Sequence, residues 1–182
     1  MKNASWETIV KPIVVLVVIC VITSALLAVT NQVTAPIIEE NERQTTLAAY
    51  VEVLPEGTTT EDLQDLDVTG MEGVESAVMK SDGSAYAIKS SATGYDGGAI
   101  TTIIGFDAEG TIIGIWSDSS TQTAGMGDRC DSDDFRGQFL GMSGSAEIGT
   151  NVDAIGGSTI SSKAYVEAVN YAFECFNQVK GA

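Results

Sequence analysis

Four hydroxyl side chains follow a pair of glycines in a segment that could hold a phosphate group. Residues 153–163 read DAIGGSTISSK, and a helical pattern continues from them. Two consecutive glycines let a ligand or another protein approach the backbone closely. The start of a helix adds unpaired N–H groups and the positive end of the helix dipole, which both favour phosphate. The candidate binding residues here are Gly156, Gly157, Ser158, Thr159, Ser161 and Ser162. Composition alone favours a simpler alternative, in which Ser158, Thr159 or Ser161 caps the helix.

Two further glycine-rich clusters have compositions suited to a ligand-binding loop. Residues 121–128 read TQTAGMGD, in which Gly125 and Gly127 bracket Met126. Such a thin loop could bring backbone amides and a polarisable thioether against a flat aromatic ligand. Residues 94–99 read GYDGGA. Taken alone, the first cluster is more simply a surface loop, and the second is more simply a turn between strands.

The residue types that are scarce exclude several kinds of chemistry. The chain contains no histidine, which excludes histidine-based triads, histidine-dependent zinc sites and histidine ligation of haem. Its three cysteines are too few and too scattered for a disulfide scaffold or a cysteine-ligated iron–sulfur cluster. A disulfide between Cys130 and Cys175 and two free thiols are both compatible with the sequence. The aspartates at positions 128, 131, 133 and 134 do not follow the pattern of an EF-hand loop, so we favour a solvated acidic surface and predict no metal site.

Composition and charge narrow the class of protein further. The 182 residues suffice for one domain of ordinary size with an appendage. Hydrophobic residues make up 44% and charged residues 19%, which excludes a disordered polyelectrolyte. The formal net charge of -16 argues against a nucleic-acid partner, because a phosphate backbone attracts a basic surface.

One stretch near the N-terminus is apolar enough to cross a membrane. Residues 12–38 contain no charge, and residues 13–29 read IVVLVVICVITSALLAV without a polar stripe. We therefore predict a transmembrane helix over residues 12–36. The alternatives are a cleaved signal peptide, a lipoprotein with Cys20 lipidated and a pilin-like stalk. The apolar run is longer than that of a signal peptide, Ile19 is bulky for a residue preceding a lipidated cysteine, and no convincing processing site precedes the run.

The charges on either side of this helix predict its orientation. Lys2 and Lys11 precede it, whereas three glutamates follow it closely and Arg43 is the only nearby base. The positive-inside rule therefore assigns residues 1–11 to the cytoplasm and the remaining domain to the extracytoplasmic side.

The candidate binding residues must be positioned by an α+β domain with a small antiparallel sheet and at least one packed helix. Residues 84–90 alternate between apolar and polar types and predict a strand, while residues 100–118 contain two β-rich runs joined by DAEG and predict a hairpin. Residues 161–179 predict the most regular helix, because their apolar residues recur at spacings of three and four.

The rest of the chain connects these elements. Residues 39–53 have helical composition, and the proline in Leu54-Pro55 should end that helix. We expect a loop with short elements at 58–76 and mostly loop at 119–151, the second interrupted by a short amphipathic piece at 135–139. The predicted organisation is therefore a cytoplasmic N-terminus at 1–11, a transmembrane helix at 12–36, a stalk helix and acidic connector at 37–83, and a binding domain at 84–182.

The order of these motifs resembles a known family. A single N-terminal span is followed by GYDGGAI, FDAEGTIIGI, TQTAGMGD, FRGQF and DAIGGSTISSKA, in that order. In this the chain is similar to the FMN-binding domain family, and specifically to the G subunits of Rnf electron-transport complexes. It is similar, less closely, to the C subunit of the sodium-pumping NADH:quinone reductase. The resemblance covers almost the whole chain.

The resemblance implies a covalent flavin. In that family a flavin transferase esterifies the phosphate of FMN to a threonine in a motif such as Asp-x-x-Ser-Gly-Ala-Thr. Asp153, Gly157 and Thr159 match this motif, with Thr159 as the acceptor, whereas Gly156 replaces Ser or Thr and Ser158 replaces Ala. The family's Glu-Thr-Pro-Gly-Leu-Gly loop appears here as QTAGMG at 122–127. Together with the hydroxyl segment, the implied cofactor contacts are Tyr95, Gln122, Thr123, Gly125, Met126 and Gly127.

The resemblance also implies a role within a larger assembly. A G subunit relays electrons in a membrane-bound ferredoxin:NAD oxidoreductase that transports Na⁺ or H⁺, and it has no catalytic residue of its own. Its partners are the other membrane and redox subunits and the flavin transferase. The alternative from another class is an extracytoplasmic, membrane-anchored binding or adhesion module without a redox cofactor.

Overall fold

The computed structural model describes residues 10–181. Its contacts divide the chain into two units, Met1–Thr45 and Thr46–Ala182, which are treated separately below. The expectations for residues 1–9, including the position of Lys2, lie outside the described residues.

The first unit is dominated by a long apolar helix. Helix α1 spans Lys11–Val53, and it is long and apolar enough to cross a membrane. Its apolar side chains are exposed throughout the predicted span, as expected of a surface that faces lipid. The hydroxyls of Thr23, Thr30 and Thr34 each donate to the carbonyl four residues earlier, at 2.9, 2.9 and 3.0 Å. These bonds satisfy the hydroxyls without water, which a lipid environment requires.

The second unit begins with the last residues of α1 and contains one antiparallel sheet. The helix ends at Val53, immediately before Leu54-Pro55, as predicted. The five strands are paired in sequence order, each antiparallel to the next. They are β1 (Leu63–Leu66), β2 (Val74–Lys80), β3 (Ala85–Thr93), β4 (Ala99–Asp107) and β5 (Ile112–Asp118). The predicted strand and hairpin are confirmed as β3 and β4–β5, and the predicted α+β class is confirmed.

Two strand segments were not predicted. The region 58–76 was expected to be a loop with short elements of unspecified type, and it contains a 3₁₀ turn at Thr60–Asp62, all of β1 and the start of β2. The β1 strand reads LQDL and lies at the edge of the sheet with its two central residues exposed. It forms because β2 offers a free edge for pairing, which is a tertiary effect that local composition does not report.

The two faces of the sheet bury different helices. Side chains at alternate positions of β4 divide between two cores: Ile100 and Ile104 face helix α3, whereas Ile103 packs with Tyr50 and Val53 of α1. Helix α3 spans Thr159–Lys180, close to the predicted 161–179, and buries Tyr165, Ala168, Val169, Ala172, Phe173 and Phe176. A short helix, α2 (Asp133–Arg136), overlaps the start of the amphipathic piece predicted at 135–139. The sheet is therefore covered on both faces.

This topology brings three distant segments to one end of the sheet. The loop 94–98 joins the end of β3 to the start of β4, and the loop 119–127 follows the end of β5. Because neighbouring strands are antiparallel, the end of β3, the start of β4 and the end of β5 all lie at the same end of the sheet. Helix α3 begins there as well, because Ser161 contacts Gln122 directly.

Candidate functional site

The side chain of Gln122 links all three glycine-rich segments. Its Oε1 accepts hydrogen bonds from the backbone N–H of Tyr95 at 2.9 Å and from the hydroxyl of Ser161 at 2.8 Å. Its Nε2 donates to the carbonyl of Gly98 at 2.8 Å. The residue is only 6% exposed, so these bonds form away from water, where each unpaired group would be costly. Gln122 therefore fixes the loop 94–98 and the start of α3 relative to each other.

The glycines around Gln122 are explained by its position. A Cβ at Gly94 would lie 2.5 Å from Gln122 Oε1, and a Cβ at Gly98 would lie 2.7 Å from its Nε2. At Gly127 a Cβ would lie 2.7 Å from both Gln122 Cβ and Ser161 Oγ. All three distances are shorter than side-chain atoms tolerate. The sequence signals GYDGG and GMG thus mark places where the backbone packs closely around one buried amide.

The loop after Gln122 is held by its own backbone and by one carboxylate. The N–H groups of Met126 and Gly127 donate to the carbonyl of Thr123 at 3.1 and 2.9 Å. The N–H of Gly125 donates to Asp128 Oδ2 at 2.9 Å, and the positive φ of Gly125, 77°, suits glycine. Met126, between the two glycines, is 47% exposed. The loop is ordered by these bonds and presents a thioether outward.

The start of α3 does not have the side-chain cap that composition favoured. Ser158 occupies the N-cap position, but its side chain makes no capping hydrogen bond. The first backbone bond of the helix joins the N–H of Ser162 to the carbonyl of Ser158 at 2.9 Å. The N–H groups of residues 159–161 therefore precede the hydrogen-bonded part of the helix. No acidic residue lies in this first turn, so the positive end of the dipole is not neutralised by the protein itself.

The four hydroxyls of this segment differ sharply in environment. Ser162 is fully buried; its Oγ donates to the carbonyl of Ser158 at 3.0 Å and accepts from the N–H of Ile155 at 3.0 Å. Ser161 is 3% exposed and bonds to Gln122, and Ser158 is 6% exposed. Only Thr159 among them is exposed to solvent.

A cleft of about 360 Å³ opens between the loops and the start of α3. This volume falls within the lower range of small-molecule sites. The residues that line the cleft are Tyr95, Thr123, Met126, Gly127, Gly157, Ser158, Thr159, Ile160 and Ser161. Eight of these nine were candidates from the sequence, and they come from three separate segments.

Some candidates lie elsewhere, and one residue was missed. Gln122 and Ser162 are buried beneath the cleft rather than in its lining. Asp153, Gly156 and Gly125 do not line it; the backbone N–H of Asp153 instead donates to Gln138 at 2.7 Å. The missed residue is Ile160, which lines the cleft and is 56% exposed. The sequence marks it only as an apolar residue among hydroxyl-bearing residues at the start of the helix.

The remaining reactive groups near the site are structural. Asp131 accepts hydrogen bonds from the hydroxyls of Ser117 and Ser119 at 2.6 and 2.7 Å, so it anchors the end of β5 rather than belonging to a solvated surface. Within residues 10–181 no three histidine, cysteine or carboxylate side chains are grouped as metal ligands would be. Cys130 is buried, and desolvation raises the pKa of its thiol to about 11. Cys130 and Cys175 are both free thiols.

The cleft has the chemistry that a flavin nucleotide requires. Tyr95, Met126 and Ile160 are about half exposed at its rim, and they offer apolar surface to a flat aromatic ring. The start of α3 offers unpaired N–H groups to an anion. The Oγ of Ser158 is buried without a hydrogen-bond partner among the described residues, so one further polar group is available. The residues present therefore fit FMN.

The sequence matches two families that are consistent with this geometry. Residues 94–174 match the family described as FMN-binding domain, and residues 1–53 match the RnfG N-terminal region. The first match begins at the loop that carries Tyr95 and ends within α3, so it includes every residue that lines the cleft.

Curated relatives match half or more of the chain. The chain is 33% identical to the G subunit of the Na(+)-translocating ferredoxin:NAD(+) oxidoreductase complex of Acetobacterium woodii, over 96% of this chain and 94% of that protein. It is 28% identical to the G subunit of the ion-translocating oxidoreductase complex of Methanosarcina acetivorans, over 96% of this chain and 98% of that protein. It is also 33% identical to the G subunit of the proton-translocating ferredoxin:NAD(+) oxidoreductase complex of Clostridium ljungdahlii, over 50% of this chain and 52% of that protein.

Proposed function

Because the chain belongs to the family of Rnf complex G subunits, we propose that it is the membrane-anchored FMN subunit of an ion-translocating ferredoxin:NAD oxidoreductase. Bound FMN supplies the electron-transfer chemistry, which the protein's own side chains lack. The chain binds and orients the cofactor, and it has no turnover alone. Its partners are the other membrane and redox subunits of the complex.

We further propose that FMN is held covalently, through a phosphoester to Thr159. The observation that carries this proposal is the difference in exposure among the four hydroxyls of the segment: Thr159 is open to the cleft, while its neighbours are buried. A transferase must reach the acceptor oxygen, and the buried hydroxyls of Ser161 and Ser162 are also engaged in hydrogen bonds. Esterification joins Thr159 Oγ to the phosphorus of FMN with the net loss of one water.

The surroundings of Thr159 support an anion at this position. Thr159 is the first residue of α3, so a phosphate attached to it would lie beside the unpaired N–H groups of the first turn. The same turn contains no carboxylate, although the chain as a whole has a formal net charge of -16. Local electrostatics therefore favour a phosphate here more than the overall charge suggests.

The rim of the cleft supports a position for the isoalloxazine ring. Tyr95 and Met126 come from different loops and Ile160 comes from α3, yet all three line the same cleft. Tyr95, Met126 and Ile160 are 53%, 47% and 56% exposed, so without a ligand their apolar surface is in contact with water. Stacking a flat ring against them would bury this surface and hold the ring beside the tethered phosphate.

The proposed location is a membrane with α1 as its single span. In this proposal residues 1–11 are cytoplasmic, 12–36 lie in the membrane and the rest of the chain lies outside. The FMN-binding domain predicted over 84–182 shares its sheet with β1 and β2, which come from the predicted stalk and connector at 37–83. A site outside the cytoplasm would lose a reversibly bound cofactor where free FMN is scarce, and a covalent bond makes retention independent of that concentration.

The decisive experiment compares acceptor variants of the full chain, each co-expressed with a flavin transferase. The wild-type chain should fluoresce in a denaturing gel, and its intact mass should increase by FMN less one water. Thr159→Ser should keep the modification, whereas Thr159→Ala should lose it completely. Ser161→Ala is the matched control, since it removes a neighbouring hydroxyl from the cleft lining and should keep the added mass. Flavin retained by Thr159→Ala would refute the site, and an unmodified wild-type chain would favour a binding module without a redox cofactor.

A further inference from the structure

The hydroxyl of Ser158 is buried in the wall of the cleft without a hydrogen-bond partner among the residues that the structure describes. The residue is 6% exposed and lies next to Thr159. A buried hydroxyl that remains unpaired destabilises a folded protein, because it has given up its bonds to water. Such a group in a binding cleft therefore suggests that its partner arrives with the ligand.

The usual role of a serine at this position does not explain it. A serine N-cap accepts a hydrogen bond from a backbone N–H of the first turn, but Ser158 makes no such bond. The Oγ of Ser162 donates to the carbonyl of Ser158 and leaves the Ser158 hydroxyl unused. Ser158 immediately precedes the N–H groups of the first turn that have no intrahelical acceptor. These N–H groups can only donate and the hydroxyl can donate as well, so an anion with several oxygens could accept from all of them.

We propose that Ser158 Oγ donates a hydrogen bond to a phosphate oxygen of the flavin nucleotide esterified to Thr159. This inference rests on the proposed function, since it takes Thr159 as the acceptor residue. The ligand is a phosphodiester monoanion, and Ser158 lines the cleft next to Thr159. An alanine, which the resembling motif has at this position, cannot make the bond. Ser158 is therefore a phosphate-binding residue particular to this chain's version of the segment.

Two buried serines of the same turn provide a matched comparison. Ser158 has an unpaired hydroxyl, whereas Ser162 is fully buried with both of its hydrogen bonds made. In the full chain without flavin, solubilised in detergent, Ser158→Ala should unfold at the same or a higher urea concentration than wild type. Ser162→Ala should unfold at a lower one, because its removal leaves the N–H of Ile155 unpaired. Far-UV circular dichroism follows both transitions.

The flavin-loaded chains test the bond itself. Attaching flavin should increase the folded-to-unfolded ratio of the wild-type chain. Ser158→Ala should make this increase about tenfold smaller, because one hydrogen bond to a charged group contributes about that much. The ³¹P resonance of the phosphodiester should shift in Ser158→Ala and return toward its wild-type position in Ser158→Thr, which restores a hydroxyl.

Each contrary result has a separate meaning. An unloaded Ser158→Ala chain as unstable as Ser162→Ala would show that the hydroxyl already has a partner, and it would overturn the inference. A loaded Ser158→Ala chain with the wild-type ³¹P position and the full gain in stability would overturn the inference alone. A wild-type chain that gains no flavin mass would overturn the proposed function, and this inference with it.

Discussion

At the scale of single residues, the order of the cleft depends on the buried amide of Gln122. Replacing it with alanine would leave the N–H of Tyr95, the carbonyl of Gly98 and the hydroxyl of Ser161 without their partner. We expect Gln122→Ala to lower the free energy of unfolding by about 1–3 kcal/mol and to reduce the rate at which the transferase loads flavin. Urea denaturation and the time course of the mass increase measure the two effects.

Gln138 provides the control for this prediction. Its side chain also bonds to backbone at both ends, accepting from the N–H of Asp153 at 2.7 Å and donating to its carbonyl at 3.3 Å. It is more exposed than Gln122, so water can replace it. Gln138→Ala should therefore cost less than about 1 kcal/mol. Equal losses in the two variants would contradict the special role of Gln122.

The buried cysteines make a second prediction at this scale. Desolvation raises the thiol pKa of both Cys130 and Cys175 from 9.0 to about 11. The folded chain therefore keeps protons that the unfolded chain releases between these values, and stability should fall as pH rises from about 9 to about 11.

In a Cys20→Ser background at pH 8, a maleimide should label neither thiol in the folded chain and both in urea without reductant. Absence of labelling in urea would instead indicate a disulfide.

At the scale of elements, the end of α1 rests on two paired glycines of the sheet. Gly105 of β4 and Gly114 of β5 are register partners, and a Cβ on them would lie 2.1 and 2.4 Å from the carbonyl oxygen of Val53. Backbone cannot move aside as a flexible side chain can. Glycine is therefore required where the helix end crosses the sheet.

This close approach gives a prediction about packing. Gly105→Ala should force the end of α1 away from the sheet and lower the free energy of unfolding by about 1–3 kcal/mol or more. Gly144→Ala is the control, because no atom lies within 4 Å of a Cβ at that position. Thermal and urea unfolding of the two variants should differ clearly. A tolerated Gly105→Ala would mean that the helix end is not packed on these strands.

The elements that the sequence predicted well are those with a local signal. The apolar run of α1, the DAEG turn of the hairpin and the three-four spacing of α3 each lie within one stretch of chain. Strand β1 could not be predicted in the same way, since it is short and polar at its centre and it exists through pairing with β2. Strand β2 was missed because its two buried residues, Ala77 and Val78, are adjacent rather than alternate.

Most residues that line the cleft could be predicted from the sequence, but their arrangement could not. The glycines and hydroxyls were identified by type, and the family resemblance assigned roles to Gln122 and Thr159. Only the fold shows that the side chain of Gln122 is buried and bonds to neighbouring segments, that Ser158 is buried in the wall of the cleft, and that Ile160 lies at the rim of the cleft. Exposure of a side chain depends on segments 30 or more residues away in the sequence, as Gln122 and Ser161 illustrate with a separation of 39.

At the scale of the whole molecule, charge is distributed unevenly along the chain. Residues 37–182 hold 24 of the 25 acidic residues but only seven of the nine basic ones. Such a domain repels an anionic cofactor at long range, while the acid-free first turn of α3 attracts phosphate at short range. The proposed covalent bond would resolve this conflict, because a tethered cofactor stays bound whatever the long-range repulsion.

The same charge distribution predicts how the chain is oriented in the membrane. Lys2 and Lys11 lie on one side of the span and Arg43 is the only base close to its other side, so the binding domain should lie outside the cytoplasm.

In a Cys20→Ser background, Ser143→Cys adds a thiol at an exposed position of this domain, outside the segments that line the cleft. A membrane-impermeant maleimide should label it in intact spheroplasts. Ser5→Cys, which keeps Lys2 and Lys11, should be labelled only after lysis, and the background chain should remain unlabelled because Cys130 and Cys175 are buried. Labelling in the opposite order would place the flavin on the cytoplasmic side, where free FMN is available and a tether would no longer be needed to retain it.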